Sequence, residues 1–356
     1  MSLPLSPPIT PMLAKLAREL PTGELLYEPK WDGFRCLVFR DRDELFLQSR
    51  NGKPLDRYFP ELAAPFTDLL PDRCVVDGEL VVPRDGRLDF DALSNRIHPA
   101  ASRVRMLAES EPAELIVFDL LALDDRDLMD VPLTQRRNVL VEALQETRRP
   151  VHLSPATVDP TEAADWFARF EGAGLDGVIA KPLDGVYAPG KRTLHKVKHQ
   201  RTADVVVGGF RWHKDGQGVG SLLLGLYDDT GELRHIGVAS SFSAKRRSEL
   251  AQELTAVQKR LGEGDDHPWL DGSADGERSP RAEHRWSSGK DTSWEPLPLV
   301  LVAEVAYEQL QADRLRHGAR FLRWRPDREP ASCRYDQLDE PPPVELAQLF
   351  DLRDGD

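Results

Sequence analysis

The sequence predicts an α+β domain with antiparallel sheets and flanking helices, followed by a small β-barrel domain. Apolar runs of strand length alternate with a few helical patterns over residues 1–200. Short β runs separated by glycine and aspartate follow through residue 330, and residues 331–356 are acidic and rich in proline. We therefore expect domains at 1–200 and 201–330, with a loosely docked or disordered tail at 331–356.

The first domain contains six apolar runs that predict strands. The first two flank Asp41–Glu44 and are expected to pair as a hairpin. A "PRDG" turn follows the third run. The predicted strands lie within residues 34–40, 45–49, 74–82, 115–123, 177–181 and 195–200.

Two helices are predicted in the same domain. One lies within residues 133–146, where Leu133, Leu140 and Leu144 share a stripe. The other begins at Pro160 with Asp159 as its cap and ends at Gly174, because proline suits the first helical position. Its apolar face would hold Ala163, Phe167 and Phe170.

The second domain is read as mostly β. Its apolar runs lie at 203–210, 220–228, 233–242 and 299–310, the last being the final clear strand. One helix is expected after Ser243, with Leu250, Leu254, Val257 and Leu261 on one side, and a polar loop is expected at 262–295. About five strands and one helix suit a small barrel, for which the OB-fold is the natural candidate.

Composition and charge restrict the compartment and the partner. Three widely spaced cysteines form no disulfide or zinc pattern, so we expect a cytoplasmic protein. Neither a signal pattern nor an apolar run of membrane-spanning length occurs, so we expect no association with a membrane. We also expect the protein to be a monomer. The net charge is −13, but residues 191–214 and 314–328 each hold many cations and one acid. Since nucleic-acid binding depends on local patches, these two segments favour an anionic ligand over an ordinary solvated face.

A lysine within the apolar run "YEPKWDGFR" is the starting point for function. Lys30 is followed by Asp32 and Gly33, and a strand edge with a tight turn is the ordinary interpretation. Seven further motifs follow in order: "SRNG" at 49–52, "DGEL" at 77–80, "FDAL" at 90–93 with Arg96, "VFDLL" at 117–121, "DGVIAK" at 176–181, "HKVKHQ" at 195–200 and "RPDR" at 325–328. In order and spacing they resemble the covalent nucleotidyltransferases, and among these the ATP-dependent DNA ligases. The resemblance extends to Arg328.

The resemblance implies a nucleotidyltransferase domain in which Lys30 is the adenylated nucleophile. An amine with an ordinary pKa of about 10.4 is protonated at neutral pH. Apolar neighbours together with the cations of Lys196, Lys198 and a bound metal would lower that pKa. Lys196 and Lys198 would also neutralise the α-phosphate, because spacing of two along a strand puts both on one face.

The remaining site residues are also carried over from the family motifs. Nucleotide-binding roles would fall to Glu28 at the adenine amino group, Arg50 at phosphate or ribose, Glu79 at the ribose hydroxyls or a metal-bound water, and Phe118 stacked on adenine. Asp32 and Arg35 would lie beside the nucleotide and the strand break, and Lys181 would join the phosphate-binding lysines. Without the motifs, Glu28 would be interpreted as a carboxylate at the rim of a site, Arg50 as an ordinary surface arginine and Phe118 as an aromatic residue of the core.

Two positions depart from the common motif pattern. Asp176 stands where most relatives have glutamate as a metal-directing carboxylate, so the shorter side chain leaves its role open. Arg328 stands where lysine is usual, which keeps the charge but changes the geometry of the expected pyrophosphate contact. Arg325 and Arg328 would reach the nucleotide only while ATP is bound.

The resemblance is closest to the short bacterial C-type ligases of DNA repair and end joining. With 29 residues before Lys30, we expect no nicotinamide-binding domain, and hence ATP with Mg²⁺ or Mn²⁺. The expected substrate is nicked or broken duplex DNA, with end-joining or repair proteins as further partners. An RNA ligase or capping-type nucleotidyltransferase, and a non-catalytic OB-type nucleic-acid-binding protein, remain the alternatives.

Overall fold

The computed structural model describes residues 1–199, 201–259, 267–270, 293–308, 310–311 and 313–338. The described chain divides into two compact units, one up to Lys198 and the other from His199 onward. The first unit is a mixed α/β domain and the second is an antiparallel β domain of OB-like form, which confirms the predicted fold class.

Two sheets form the first unit. One has the order β1-β12-β11-β2 and the other the order β10-β8-β5-β3-β4 with β9 beside β8, while β6 and β7 form a separate ribbon. All pairs are antiparallel except β1 with β12 and β10 with β8. The strands are β1 (Ala14–Leu16), β2 (Leu25–Pro29), β3 (Phe34–Asp41), β4 (Glu44–Ser49), β5 (Arg73–Val81), β6 (Pro83–Arg84), β7 (Arg87–Leu88), β8 (Glu114–Leu123), β9 (Arg126–Asp127), β10 (Val151–Leu153), β11 (Gly177–Pro182) and β12 (Leu194–Lys198).

Alternation along β3 explains how the sheets and helices pack. Leu37 and Phe39 belong to a buried cluster with Leu194 of the other sheet. Cys36 and Val38 point to the opposite face, in a cluster with helical residues such as Leu140. Since a fully buried Leu or Phe contributes about 1.5–3 kcal/mol, these two clusters stabilise the unit from both faces of one sheet.

Five helices flank these sheets: α1 (Ala63–Leu69), α2 (Phe90–Asn95), α3 (Ala101–Ser110), α4 (Leu133–Ala143) and α5 (Pro160–Arg169). The predictions for α4 and α5 are confirmed, including the cap: the Asp159 carboxylate accepts from the Thr161 N–H at 2.8 Å. The α5 segment continues as a 3₁₀ turn to Ala173, and Gly174 then has φ +88°. The first three helices were not predicted: α1 and α2 are too short to show a period, and α3, although as long as α5, begins without a side-chain cap.

The second unit is a five-stranded path, β15-β14-β13-β17-β20, with β16 beside β13 and a separate β18-β19 pair. A bridge between Ala239 and Ala319 joins the two edges of the path, as closure of a barrel requires. Its elements are β13 (Arg201–Trp212), β14 (Val219–Tyr227), β15 (Leu233–Ala239), α6 (Ala244–Gln258), β16 (Glu295–Pro296), β17 (Val302–Tyr307), β18 (Leu310–Gln311), β19 (Arg314–Leu315) and β20 (Arg320–Trp324). Ser243 caps α6 as predicted, while Leu261 and most of the predicted 262–295 loop lie outside the described residues.

Two expectations for the second unit need correction. The final strand is β20 rather than the 299–310 run, and it was missed because it is short and carries two arginines within a basic segment. The predicted tail boundary at 330 falls inside the unit, since Cys333 is buried and its carbonyl accepts from the Tyr227 N–H. The tail residues from 339 lie outside the described residues. Within the described part of the chain, no helix has the length and apolar character needed to cross a membrane.

Candidate active site

A pocket in the first unit gathers most of the predicted site residues. Its cavity volume is about 240 Å³. Eight predicted residues line it: Glu28, Lys30, Arg35, Arg50, Glu79, Phe118, Lys181 and Lys196. Three further residues predicted in the first unit do not line the pocket. Asp176 contacts Lys30, Lys198 contacts Asp176, and Asp32 lies half-buried in the loop between β2 and β3.

Lys30 is held at the end of β2 by backbone hydrogen bonds to the start of β11. Its N–H donates to the Gly177 carbonyl at 2.8 Å, and the Asp176 N–H donates to the Lys30 carbonyl at 2.9 Å. Gly177 has φ +135°, and a Cβ there would lie 1.9 Å from the Val197 carbonyl oxygen. The "DG" of "DGVIAK" therefore places Asp176 beside the lysine because only glycine fits the next position.

The carboxylate of Asp176 bridges two lysines. It lies 2.5 Å from Lys30 Nζ and 3.1 Å from Lys198 Nζ. Burial by itself would raise the pKa of Asp176, but the two ammonium groups outweigh burial and lower it. The sequence predicted cations around Lys30; the structure brings Lys198 to the same carboxylate and in addition places that acid directly on Lys30.

Strand spacing puts Lys196 and Lys198 on one face of β12. Val197 between them is buried on the other face. Lys196 lines the pocket, and Lys198 pairs in register with Gly177 of β11. The two lysines therefore stand along the edge of the pocket that holds Lys30, as their predicted phosphate role requires.

Glu28, Phe118 and Lys181 form a second group in the pocket lining. Lys181 Nζ lies 2.7 Å from Glu28 Oε2 and 4.8 Å from the centre of the Phe118 ring. This differs from the expectation that Lys181 joins Lys196 and Lys198, and it places Lys181 with the residues predicted to bind the base. Glu28 is 2% exposed, and its Oε1 has no hydrogen-bond partner among the described residues. A buried acceptor of this kind suits an amino group on a bound base.

Arg35 is fixed by an aspartate that the sequence did not single out. Its Nε and Nη2 donate to the two carboxylate oxygens of Asp77 at 2.5 and 2.6 Å, and Tyr187 Oη donates to the same carboxylate at 2.5 Å. The guanidinium lies 4.5 Å from the centre of the Phe118 ring. Asp77 begins the "DGEL" motif, but nothing local marks its partner Tyr187, which is 110 residues away in the sequence.

Glu79 is the second carboxyl near Lys30. Burial raises its pKa to about 7, against the lowering effects of Arg35 and Lys30. No group of three or more His, Cys, Asp or Glu in a metal-binding arrangement occurs within the described residues. Mg²⁺ commonly binds through one or two carboxylates together with substrate phosphates and waters. Since Asp176 and Glu79 both interact with Lys30, their oxygens fit such a site in chemical type.

The "FDAL" motif has a structural role that its position did not reveal. Arg96 is fully buried and forms two hydrogen bonds to the Glu61 carboxylate, at 2.6 and 2.8 Å. It also donates to the carbonyls of Tyr58 and Glu111. Arg96 therefore joins α2 to the segments that precede α1 and follow α3, away from the pocket lining.

An arginine that the sequence analysis did not select lies near Glu28. Arg137 of α4 has its Nη1 3.9 Å from Glu28 Oε1, and Nη2 donates to the Ser154 carbonyl at 2.5 Å. Burial lowers the pKa of Arg137. Helical periodicity puts Arg137 on the same stripe as Leu133 and Leu140, so a charged residue on an otherwise apolar stripe was the signal that could have found it.

The last two predicted residues belong to the second unit. Arg325 Nη1 donates to both oxygens of Asp204, at 3.0 and 2.9 Å, and Arg328 Nε lies 3.2 Å from the same carboxylate. Arg325 also donates through Nε and Nη2 to Asp327. The two arginines are thus brought together by an acid, Asp204, that was noted only as the one acid of a basic segment.

Comparison with known proteins identifies the family. The model of the ATP dependent DNA ligase domain matches residues 9–198, and that of the ATP dependent DNA ligase C terminal region matches 215–328. DNA ligase C2 of Mycolicibacterium smegmatis is 53% identical over 348 residues, covering 96% of this chain and 97% of that protein. The multifunctional non-homologous end joining protein LigD of Mycobacterium bovis is 34% identical over 256 residues, covering 70% of this chain and 32% of that protein.

Solved structures agree at the level of the fold. One from a structure–function analysis of Lig E DNA ligases has a TM-score of 0.55 at 16% identity, covering 88% of this chain and 99% of that chain. Since one family model spans more than half of the chain and the similarity to DNA ligase C2 covers nearly all of it, the protein belongs to the ATP-dependent DNA ligases, and within them to the C type.

Proposed function

We propose that this protein seals breaks between a 5′-phosphate and a 3′-hydroxyl in duplex DNA through a lysyl-AMP intermediate on Lys30. The observation that carries the proposal is the position of Lys30 in a pocket whose lining also contains Glu28, Phe118 and Lys196. We assign Glu28 and Phe118 to the base and Lys196 to the α-phosphate.

The first step is attack of the Lys30 amine on the α-phosphorus of ATP. The lysine first gives up a proton to solvent, a nitrogen–phosphorus bond forms, and the bond from phosphorus to the bridging oxygen breaks. Pyrophosphate leaves with that electron pair. Lys196 and Lys198 stabilise the charge that develops on the α-phosphate, in a site where positioned cations are effective.

The position of Asp176 has a consequence for this step. Its carboxylate accepts from the Lys30 ammonium, so it orients Nζ before the nucleotide enters. Lys198 shares the same carboxylate and remains as its partner when Lys30 becomes bonded to phosphorus. We infer that Lys198 prevents Asp176 from becoming an unpaired buried charge during catalysis.

The two later steps transfer AMP and join the strands. The 5′-phosphate at the break attacks the lysyl-AMP phosphorus, which releases the amine and forms a DNA-adenylate. The 3′-hydroxyl then attacks the 5′-phosphorus and displaces AMP, with loss of the hydroxyl proton. When bound, Mg²⁺ would neutralise phosphate charge, and Asp176 and Glu79 are the carboxylates that would hold it.

The wider setting is also part of the proposal. The protein acts on nicked or broken duplex DNA in the cytoplasm as a monomer, with repair or end joining as its pathway and proteins of that pathway as further partners. The name of the end joining relative supports this pathway. The basic segments at 191–214 and 314–328 support an anionic substrate.

The decisive experiment is formation of the covalent adduct. Wild-type protein incubated with α-labelled ATP should carry label that survives denaturing gel electrophoresis, and Lys30→Ala should carry none, because the amine is the only group that can hold AMP. Lys245→Ala, at a lysine that is 88% exposed, is the matched control and should label like wild type. Undiminished label on Lys30→Ala would exclude this nucleophile.

A second measurement separates the ligase from its alternatives. The adduct should form with ATP and not with GTP, and the protein should then close a DNA nick that carries a 5′-phosphate. A nick without that phosphate should leave the adduct unused. Labelling by GTP would instead favour a capping-type enzyme, and preference for an RNA strand would favour an RNA ligase.

A further inference from the structure

Asp204 lies between the two arginines of the "RPDR" motif, and nothing in the motif itself predicts it. Both of its carboxylate oxygens accept from Arg325 Nη1, and Oδ2 is also 3.2 Å from Arg328 Nε. Asp204 precedes Arg325 by 121 residues in the sequence. The three side chains therefore form one cluster only because β13 and the segment after β20 meet in the folded unit.

The backbone of Asp204 is held on both sides. Gln337 Oε1 accepts from the Asp204 N–H at 2.8 Å, and Gln337 Nε2 donates to the Asp204 carbonyl at 3.0 Å. The strand that carries Asp204 pairs with β17 along six residues, from Arg201 to Val206. A carboxylate on a backbone fixed in this way holds its partners in a constant place.

The two arginines are held to different degrees. Arg325 is bonded along both edges of its guanidinium, by Asp204 at Nη1 and by Asp327 at Nε and Nη2, and is 18% exposed. Arg328 is 37% exposed, and no side-chain hydrogen bond joins its guanidinium to the described residues. Arg328 thus keeps donor capacity for an anionic ligand, while that of Arg325 is largely occupied.

The position of Asp204 is unfavourable for the sheet itself. It lies directly opposite Glu304 of β17, and like charges at such a position destabilise an antiparallel pair. Glu304 has its own partner in Arg323, at 2.6 Å. The arrangement is more easily explained by what Asp204 does for the two arginines than by the stability of the strands.

We propose that Asp204 is a positioning residue that holds Arg325 and Arg328 as one unit, so that Arg328 can bind the pyrophosphate end of ATP in the self-adenylation step. This inference rests on the proposed function. Asp204 bonds Arg325 directly and keeps the Arg328 guanidinium beside it as an ion pair at 3.2 Å, which leaves the Arg328 donors for phosphate, so Asp204 acts through geometry rather than by touching the nucleotide. Asp204 then matters for the one step that involves pyrophosphate.

The test compares two steps in the same preparation of Asp204→Asn. Self-adenylation by ATP should slow by about 10- to 100-fold, as expected for a misplaced binding group. Closure of a nick already carrying AMP on its 5′-phosphate should change less than about threefold, since that step contains no pyrophosphate. Asp204→Glu keeps the charge and should recover much of the first step.

Glu304→Gln is the matched control. It removes an equal charge from the strand position opposite Asp204, at 4.0 Å from Arg325, and should adenylate like wild type. If it is as slow as Asp204→Asn, the effect is one of local charge and not of positioning. Equal loss in both steps of Asp204→Asn, with the fold intact by circular dichroism, would also overturn the inference.

The reverse reaction provides a readout that a purely structural role would not change. Enzyme-AMP, prepared by prolonged incubation with ATP, is mixed with pyrophosphate, whose oxygen attacks phosphorus while the nitrogen–phosphorus bond breaks and Lys30 regains a proton. Asp204→Asn should need about tenfold more pyrophosphate for half-maximal release of ATP. An unchanged pyrophosphate requirement contradicts the proposal, whereas failure of wild type to form any adduct contradicts the proposed function instead.

Discussion

At the scale of single residues, the active site is defined by how three charges are shared. Asp176 pairs with both Lys30 and Lys198, so loss of either lysine leaves one balanced ion pair, whereas loss of Asp176 leaves two like charges without a counter-charge. An unpaired buried charge is strongly unfavourable. The backbone hydrogen bond from the Asp176 N–H to the Lys30 carbonyl brings the two residues close enough for the short side chain of aspartate to reach Lys30.

Asp176→Ala tests whether this carboxylate acts in catalysis. We expect sealing to fall by about 100-fold or more while the fold is kept, because Nζ of Lys30 loses its orienting partner and a metal loses a ligand. Added Mn²⁺ should restore part of the activity. Asp184→Ala is the matched control, since Asp184 also precedes a glycine but is exposed. Sealing by Asp176→Ala within a fewfold of wild type would reduce Asp176 to a turn residue.

The buried carboxyl of Glu79 predicts a pH effect on stability. Its pKa is raised from 4.5 to about 7, so between these values the folded protein binds a proton that the unfolded chain has released. Its stabilising contribution is therefore present below about pH 4.5 and is lost as the pH rises through about 7. The free energy of unfolding of wild type relative to Glu79→Gln should fall by at most about 1.4 kcal/mol per pH unit in this window. Denaturant titrations with EDTA and without ATP measure it, and a constant difference would refute the shift.

At the scale of elements, the pocket depends on close contacts between strand ends. β2, β11 and β12 are neighbours in one sheet, and their register brings Lys30, Asp176 and Lys198 to the same edge. Gly33 lies where the chain turns from β2 into β3, against the backbone of β5. The glycine of "KWDG" thus serves the backbone, as its ordinary interpretation as a turn residue predicts.

Gly33→Ala tests this close approach. A Cβ at Gly33 would lie 2.1 Å from the Leu80 carbonyl oxygen and 2.9 Å from Glu79 Cγ, so strand β5 must shift. We expect a loss of about 1–3 kcal/mol in stability and a larger loss of adenylation, because Lys30 and Glu79 both move. Gly318→Ala is the comparison for the general effect of a methyl group, since a Cβ at Gly318 would meet only the Ser240 hydroxyl at 3.1 Å and the Val238 carbonyl oxygen at 3.6 Å. Equal thermal stability of Gly33→Ala and wild type would contradict the clash.

At the scale of the whole molecule, the acidic chain uses its basic segments for more than one purpose. Several arginines of the 314–328 segment are engaged within the second unit, Arg323 with Glu304 and Arg325 with Asp204. The cations left for DNA are therefore fewer than the sequence count indicates. Modest intrinsic affinity for DNA with strong dependence on salt is the expected result.

Sealing should weaken steeply as salt is added. Each DNA phosphate neutralised by the protein contributes a slope of about −0.9 to the logarithm of affinity against the logarithm of salt concentration. The measurement is closure of a pre-adenylated nick at several salt concentrations, with self-adenylation in the absence of DNA as the control reaction. A flat response of nick closure would mean that the two basic segments do not follow the DNA.

Much of the fold could be predicted because local patterns agreed with the final structure. Periodicity or caps that are visible within a short stretch of sequence mark several elements: the hairpin of β3 and β4, strands β5 and β8, and helices α4 and α5. Strand β20 was missed because a short run of arginines and aromatic residues resembles a nucleic-acid-binding segment. Helices α1 and α2 have too few turns for a pattern, and α3 lacks the side-chain cap that marks the start of α5, so packing on the rest of the unit decides these three helices.

By itself the sequence determined the order of the motifs and the family to which they point, and it predicted Lys30 as the nucleophile, because these depend on residue type and spacing along the chain. Only the tertiary structure decided the partners: Asp176 on Lys30, Lys181 on Glu28, Asp77 with Tyr187 on Arg35, and Asp204 on Arg325 and Arg328. Each of these contacts joins residues 42 to 153 positions apart. Local propensity contains no information about contacts between residues so far apart in the sequence. Strand order and register decide which charged residues come together, and burial makes an unpaired charge among them costly.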